Sequence, residues 1–173
     1  MKNKMIAGAL IAAVCAIMLL AGGCSAKDPL SDFEKNAGID LAAADSIEER
    51  DTHGGIQGDG TYVAVIRFSE TPEAVTGGEW KRLPLTDTLK TALYGFTDGT
   101  GEYMIMPLID FESAGIDTEI PYVENGYYYF EDRHRKSADP SDDTDLLARA
   151  SYNFTLAVYD SDTDTMYVII EDT

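Results

Sequence analysis

The last twenty residues constrain the fold most. Asn153-Phe154-Thr155-Leu156-Ala157-Val158-Tyr159 and Met166-Tyr167-Val168-Ile169-Ile170 are β-branched and aromatic runs joined by Asp160-Ser161-Asp162-Thr163-Asp164-Thr165. Two such runs with a short polar connection read as a β-hairpin, which commits the chain to an antiparallel sheet. Thr61 to Phe68 has the same composition, and Asn125-Gly126 leads into a fourth strand, Tyr127-Tyr128-Tyr129-Phe130. Tyr103 to Leu108 reads as a weaker edge strand, and Pro107 and Pro121 make Met106 to Tyr122 an ordered loop. Helical signals are short. Ser31 or Asp32 caps a helix that Gly38 stops, and Ser69-Glu70-Thr71-Pro72-Glu73 opens one that Gly77-Gly78 stops. Thr86 or Asp87 caps a third, with Leu89, Ala92 and Leu93 on one face. Ile39 to Arg50 reads as a short helix followed by extended chain. The expectation is an α+β domain: an antiparallel sheet of about four strands with a C-terminal hairpin and two or three short helices.

The first residues carry a different message. Met1-Lys2-Asn3-Lys4 is basic, Met5 to Leu20 has no charge, and Leu20-Ala21-Gly22-Gly23-Cys24 ends in small residues and a cysteine. A basic start, an apolar middle and a small-residue end are what export and signal cleavage need. As a helix, Met5 to Leu20 would cover about 24 Å, short of a hydrocarbon core of about 30 Å. The final four of these residues resemble the lipobox of bacterial lipoproteins, with Ala21 where Leu is usual. That resemblance implies cleavage between Gly23 and Cys24 and a diacylglyceryl group on Cys24, which holds the protein at the extracytoplasmic face of the cell membrane. Residues 1–23 are then the signal peptide, 24–30 an acylated tether and 31–173 a single domain. A chain of 150 residues remains after the cut, enough for one core.

Both cysteines, Cys15 and Cys24, fall in this N-terminal region, so the folded part has no thiol for a disulfide, a nucleophile or a metal. Beyond residue 23 there are eleven Lys and Arg against thirty-one Asp and Glu, a net charge of −20. A surface this acidic repels nucleic acid and anionic lipid headgroups.

Four groups of residues deserve a chemical reading. Asp160, Asp162 and Asp164 with Glu171 have the ligand spacing of a calcium-binding EF-hand loop, but Thr165 stands where the turn needs Gly and both flanks read as strands. That pattern reads as a polar hairpin turn and no metal site is assigned, with a weak, non-EF calcium contact there or at Asp139, Asp142, Asp143 and Asp145 as the alternative. His53, with Asp51 before it and Asp59 after it, lies in a loop holding four glycines in ten residues; it reads first as a structural residue hydrogen-bonded within that loop, and these three form the candidate ligand site if it is not. A His beside a carboxylate can serve as a base, yet no G-x-S-x-G pattern supplies a nucleophile. No catalytic residue and no cofactor is assigned. Arg133-His134-Arg135-Lys136 reads as local charge balance against Glu131, Asp132 and Asp139. Alternation sends Tyr128 to one face and Tyr127 and Tyr129 to the other, which suits packing better than a sugar platform.

The runs Asp51-Thr52-His53-Gly54-Gly55, Gly58-Asp59-Gly60, Trp80 with Leu83-Pro84-Leu85-Thr86, Asn125 to Phe130 and Asn153 to Ala157 together resemble a group of small uncharacterised lipoproteins of Gram-positive bacteria. The resemblance implies a cell-surface location and no particular activity. The functional expectation is a lipid-anchored, non-enzymatic binding or protein-interaction module with a cell-surface protein partner and no nucleic acid. The alternatives are a solute- or ion-binding accessory of a transporter and a hydrolase using His53.

Overall fold

A computed structural model describes residues 28–54, 58–109 and 120–173. The signal segment 1–23, the Gly23/Cys24 cleavage and acylation site, residues 24–27 of the tether and the middle of the Met106 to Tyr122 loop lie outside the described residues. The strands are β1 (Ala44–Asp51), β2 (Gly60–Phe68), β3 (Lys81–Arg82), β4 (Phe96–Thr97), β5 (Met104–Ile105), β6 (Gly126–Asp132), β7 (Asn153–Asp160) and β8 (Thr165–Asp172). The helices are α1 (Pro29–Ala37) and α2 (Asp87–Tyr94), with 3-10 turns at Leu41–Ala43, Glu73–Thr76 and Leu146–Ala148. Among the described residues, no helix is long and apolar enough to cross a membrane.

Six strands form one antiparallel sheet in the order β1-β2-β8-β7-β6-β3, and β4 pairs with β5 in a separate ribbon. The expected sheet of about four strands is therefore too small. The hairpin and the strands at Thr61 and Tyr127 are its four central members, and the two edges are what the sequence pattern lacked. β1 is charged and exposed along nearly its whole length, and β3 is only two residues long. Charged or very short edges are how a sheet avoids pairing with other chains.

The centre has the opposite character. In β7, Phe154, Leu156 and Val158 point to one face and Thr155, Ala157 and Tyr159 to the other, and all six are buried. A strand covered on both sides needs apolar residues at every position, and each large side chain so buried stabilises the fold by about 1.5–3 kcal/mol. One layer covers the Ala157 and Tyr159 face: Leu30, Phe33 and Ala37 of α1, with Ile39, Val75 and Trp80, pack on Tyr62, Ile66, Tyr129, Tyr159 and Val168. The second layer covers the other: Leu89, Ala92 and Leu93 of α2, with Ile109, Ile120 and Leu146, pack on Tyr128, Phe130, Leu156, Val158 and Ile169. At the start of β6, Gly126 has φ +148°, and a Cβ there would lie 1.8 Å from the Tyr159 carbonyl oxygen, so only glycine lets β6 close on β7.

Local chemistry sets the helix ends. Asp28 caps α1 by accepting from the Leu30 N–H at 3.0 Å, with Pro29 as first helical residue, and Gly38 at φ +68° ends it. Thr86 caps α2 by accepting from the Leu89 N–H at 3.1 Å. The helix expected between Ser69 and Gly78 is instead the 3-10 turn at Glu73–Thr76. Its backbone bonds, Val75 N–H to Pro72 and Gly77 N–H to Ala74, span three residues, and the Gly77-Gly78 pair leaves no length for an α-turn to propagate.

Candidate functional site

The α1 face of the sheet has an open end where β1, β6 and β8 finish and β7 begins. The register brings Glu131, Thr155, Ile170 and Asp172 side by side there, with Asp51 two strands further on, across from Tyr62 of β2. α1 runs above them and contributes Pro29, Asp32, Phe33 and Asn36. Together with His53, Gly58 and Arg133 these residues enclose a cleft of about 580 Å³. That volume lies in the range of small-molecule sites, which run from about 300 to 1,000 Å³.

His53 is held in place by its own loop. Thr52 extends the β1–β2 pairing, its N–H and its hydroxyl both donating to the Thr61 carbonyl at 3.0 Å while the Thr61 N–H donates back to Thr52 Oγ1 at 2.9 Å. Asp51 Oδ1 then accepts from the His53 backbone N–H at 2.8 Å and from the ring Nδ1 at 2.6 Å. A Cβ on Gly60 would lie 2.5 Å from His53 Cα, so the two backbones touch. A carboxylate only accepts, so Asp51 puts the ring proton on Nδ1 and makes Nε2 the acceptor of the neutral ring. Nε2 is closed off from solvent, makes no hydrogen bond among the described residues, and lies 3.3 Å from Asp172 Oδ2.

Asp172 links the imidazole to a guanidinium. Arg133 Nη2 donates to Asp172 Oδ1 at 2.6 Å, and Nη1 donates to Thr155 Oγ1 at 2.6 Å. On the α1 side, Glu131 Oε2 accepts from the Tyr129 hydroxyl at 2.9 Å and from Asn36 Nδ2 at 3.1 Å. Burial, then the Glu131 carboxylate, pushes the Tyr129 phenol well above its ordinary value. Behind the cleft, Glu171 is buried and accepts from Thr61 Oγ1 at 2.6 Å; burial raises its carboxyl above the ordinary 4.5, with the Thr61 bond and His53 opposing.

Of the three candidate ligand residues, Asp51 and His53 stand together and line the cleft. Asp59 is exposed, and no hydrogen bond or ion pair joins it to His53. Asp172 and Arg133 were not anticipated. Asp172 lies 119 residues beyond His53, and only the β2–β8 register, which sets Asp172 across from Gly60, brings it near.

The other groups resolve as structure. Asp160, Asp162 and Asp164 spend their carboxylates on the hairpin turn and its neighbours: Asp160 accepts from the Asp162 N–H, Asp162 from Asn125, and Asp164 from Thr71 and Tyr159. Glu171 lies six residues along β8 from Thr165, about 20 Å away at strand rise, so no loop gathers the four. Asp139 and Asp142 hold their own turns through Ser141 and Thr144, which depresses both carboxyls. Among the described residues, no group of three or more His, Cys, Asp or Glu is arranged to hold a metal ion. Arg133 pairs with Asp172, Arg135 donates to the Asp132 carbonyl, and Tyr128 and Tyr129 are buried on opposite faces.

No protein-family model, curated protein or solved structure matches this chain.

Proposed function

We propose that this chain is a lipid-anchored, non-enzymatic binding module of the extracytoplasmic membrane face, and that the cleft beneath α1 is its binding site. The observation that carries the reading is the cleft itself: an apolar wall from Pro29, Phe33 and Ile170 beside convergent polar groups from four strands and a loop. A few polar groups set in an apolar hollow are the usual makeup of a ligand site. His53 fits a binding role better than a hydrolytic one, because its Nε2 faces the Asp172 carboxylate and no hydroxyl donates to it. Attachment at Cys24 adds a placement. Asp28 stands four positions beyond Cys24, a reach of at most about 14 Å. The first turn of α1, and with it the cleft mouth, is then held close to the headgroups.

The test uses the full chain purified from membranes in detergent. A thermal-shift screen over peptides, sugars, amino acids and ions is run on the wild type and on Asn36→Trp, which puts an indole at the cleft mouth from an exposed helix position. A ligand that stabilises the wild type alone supports the site; ligands that act equally on both, or no ligand at all, would refute it. Cys24→Ala should move the protein from the membrane to the soluble fraction, and retention would refute the anchor.

A further inference from the structure

Resting on the cleft being the binding site, we infer that it selects an organic cation: an ammonium or guanidinium group on an apolar stem, the chemistry of a lysine or arginine side chain. The lining decides the sign. Four carboxylates, Asp32, Asp51, Glu131 and Asp172, face one guanidinium, Arg133, and one imidazole, His53. Arg133 is already committed, with Nη2 on Asp172 and Nη1 on Thr155. An anionic ligand would have to displace Asp172 from Arg133 in the field of three further carboxylates, whereas that field attracts a cation.

Geometry gives the cation a place. Both hydrogen bonds that Glu131 accepts from described residues end on Oε2, which leaves Oε1 to receive a donor. The apolar wall of Pro29, Phe33 and Ile170 accounts for the stem, because methylene groups next to an ammonium gain by leaving water while the head stays among the carboxylates. A cleft of about 580 Å³ has room for the amide groups that flank such a side chain in a peptide as well as for a free amine.

The experiment is isothermal titration calorimetry of the full chain in detergent with hexylamine, hexanol and hexanoate, which share a stem and differ only in the charge of the head. Hexylamine should bind saturably and at least tenfold more tightly than either of the others. Nα-acetyl-lysine amide forms the second arm: it should share that advantage over hexanol, and whether it or hexylamine binds more tightly separates a peptide side chain from a small amine as the source. Glu131→Gln keeps the acceptor for Tyr129 and Asn36 and should weaken hexylamine about tenfold. Asp32→Asn, on the exposed face of α1, should weaken it in the same direction and guards against a folding defect in the first variant. Hexanol or hexanoate binding as tightly as hexylamine would overturn the cation inference and leave the cleft reading standing. Hexylamine binding that neither variant weakens would overturn the assignment to this cleft. No binding of any of the four probes would also overturn the cation inference, and the Asn36→Trp comparison then judges the cleft by itself.

Discussion

Phe33→Ala should detach α1 from the sheet and lower stability by about 3–5 kcal/mol. The ring is buried and packs edge-on against Trp80, with centroids 6.5 Å apart and planes at 74°, and against Tyr129 at 6.0 Å and 71°. Truncating a buried Phe removes its transfer free energy and leaves a cavity, which together cost about 3–5 kcal/mol, and each edge-on aromatic pair accounts for about 0.5–1.5 kcal/mol beyond area. Two such contacts place the change in the upper half of that range. For a domain of this size the midpoint of thermal unfolding should fall by about 10 °C or more. Trp80 is the only tryptophan, and its Nε1 donates to the Ala37 carbonyl at the end of α1 at 2.9 Å, so its fluorescence reads the docking of the helix directly. Urea unfolding followed by Trp80 emission and by far-UV circular dichroism measures the change. A loss below about 1 kcal/mol would refute the argument that this ring joins helix to sheet. So would an emission shift toward the solvent-exposed value with the main transition unmoved, since α1 would then be a separately melting attachment.

Arg149→Met should cost about 3–5 kcal/mol in the same urea assay, because Asp132 is 2 % exposed and Arg149 Nη1, 2.8 Å away, is its ion-pair partner. Adding Asp132→Asn, which keeps an acceptor for the His134 N–H, should recover more than half of the loss, and an unchanged loss in the double variant would show that the charge is not what matters. Glu171 has its folded carboxyl raised above 4.5 by burial, so the folded state holds that proton more tightly than the unfolded chain. Its contribution to stability is full below that value and is lost as pH rises through the folded one. Glu171→Gln should accordingly gain on the wild type as pH rises above the ordinary 4.5, and a pH-independent difference between the two would contradict this. Burial also pushes the phenols of Tyr94 and Tyr159 up to about 12 and raises those of Tyr62, Tyr128, Tyr129 and Tyr167. Alkaline titration followed by phenolate absorbance should show at least these six ionising late or together with unfolding, and their release at the ordinary value of 10.0 would refute their burial.

Much of the fold was legible because its central strands bury both faces. A strand like β7 buries six successive residues, all apolar but Thr155, and that is visible in any single sequence. The helix carrying Leu89, Ala92 and Leu93 was legible for a related reason, since all three are buried on one side of α2. β1 was legible only as extended chain and not as a member of the sheet, because an exposed edge gains its pairing from the β2 backbone and asks nothing of its own side chains. Ser46, Glu48 and Arg50 therefore show no pattern to read. The start of α1 was missed by a few residues: Ser31 and Asp32 look like caps, but Asp28 before Pro29 is the better one, since the fixed φ of Pro29 starts the helix there and lets Leu30 reach the core.

The candidate site divides along the same line. Asp51 and His53 are two residues apart, and an aspartate that accepts from the backbone two positions on is local chemistry a sequence can show. Asp172 comes from β8 and Glu131 and Arg133 from the end of β6, and they meet His53 only because β2 pairs with β8, β8 with β7 and β7 with β6 in one register. Shifting that register by one residue would turn Asp172 and Glu131 to the opposite face and put Glu171 in their place. The register is pinned far from the cleft, where Gly126 allows β6 to approach Tyr159 and where Asp164, accepting from Tyr159 and Thr71, fixes the β7–β8 turn. The charge pattern that favours a cation in the cleft thus depends on a turn and a glycine at the other end of the same strands.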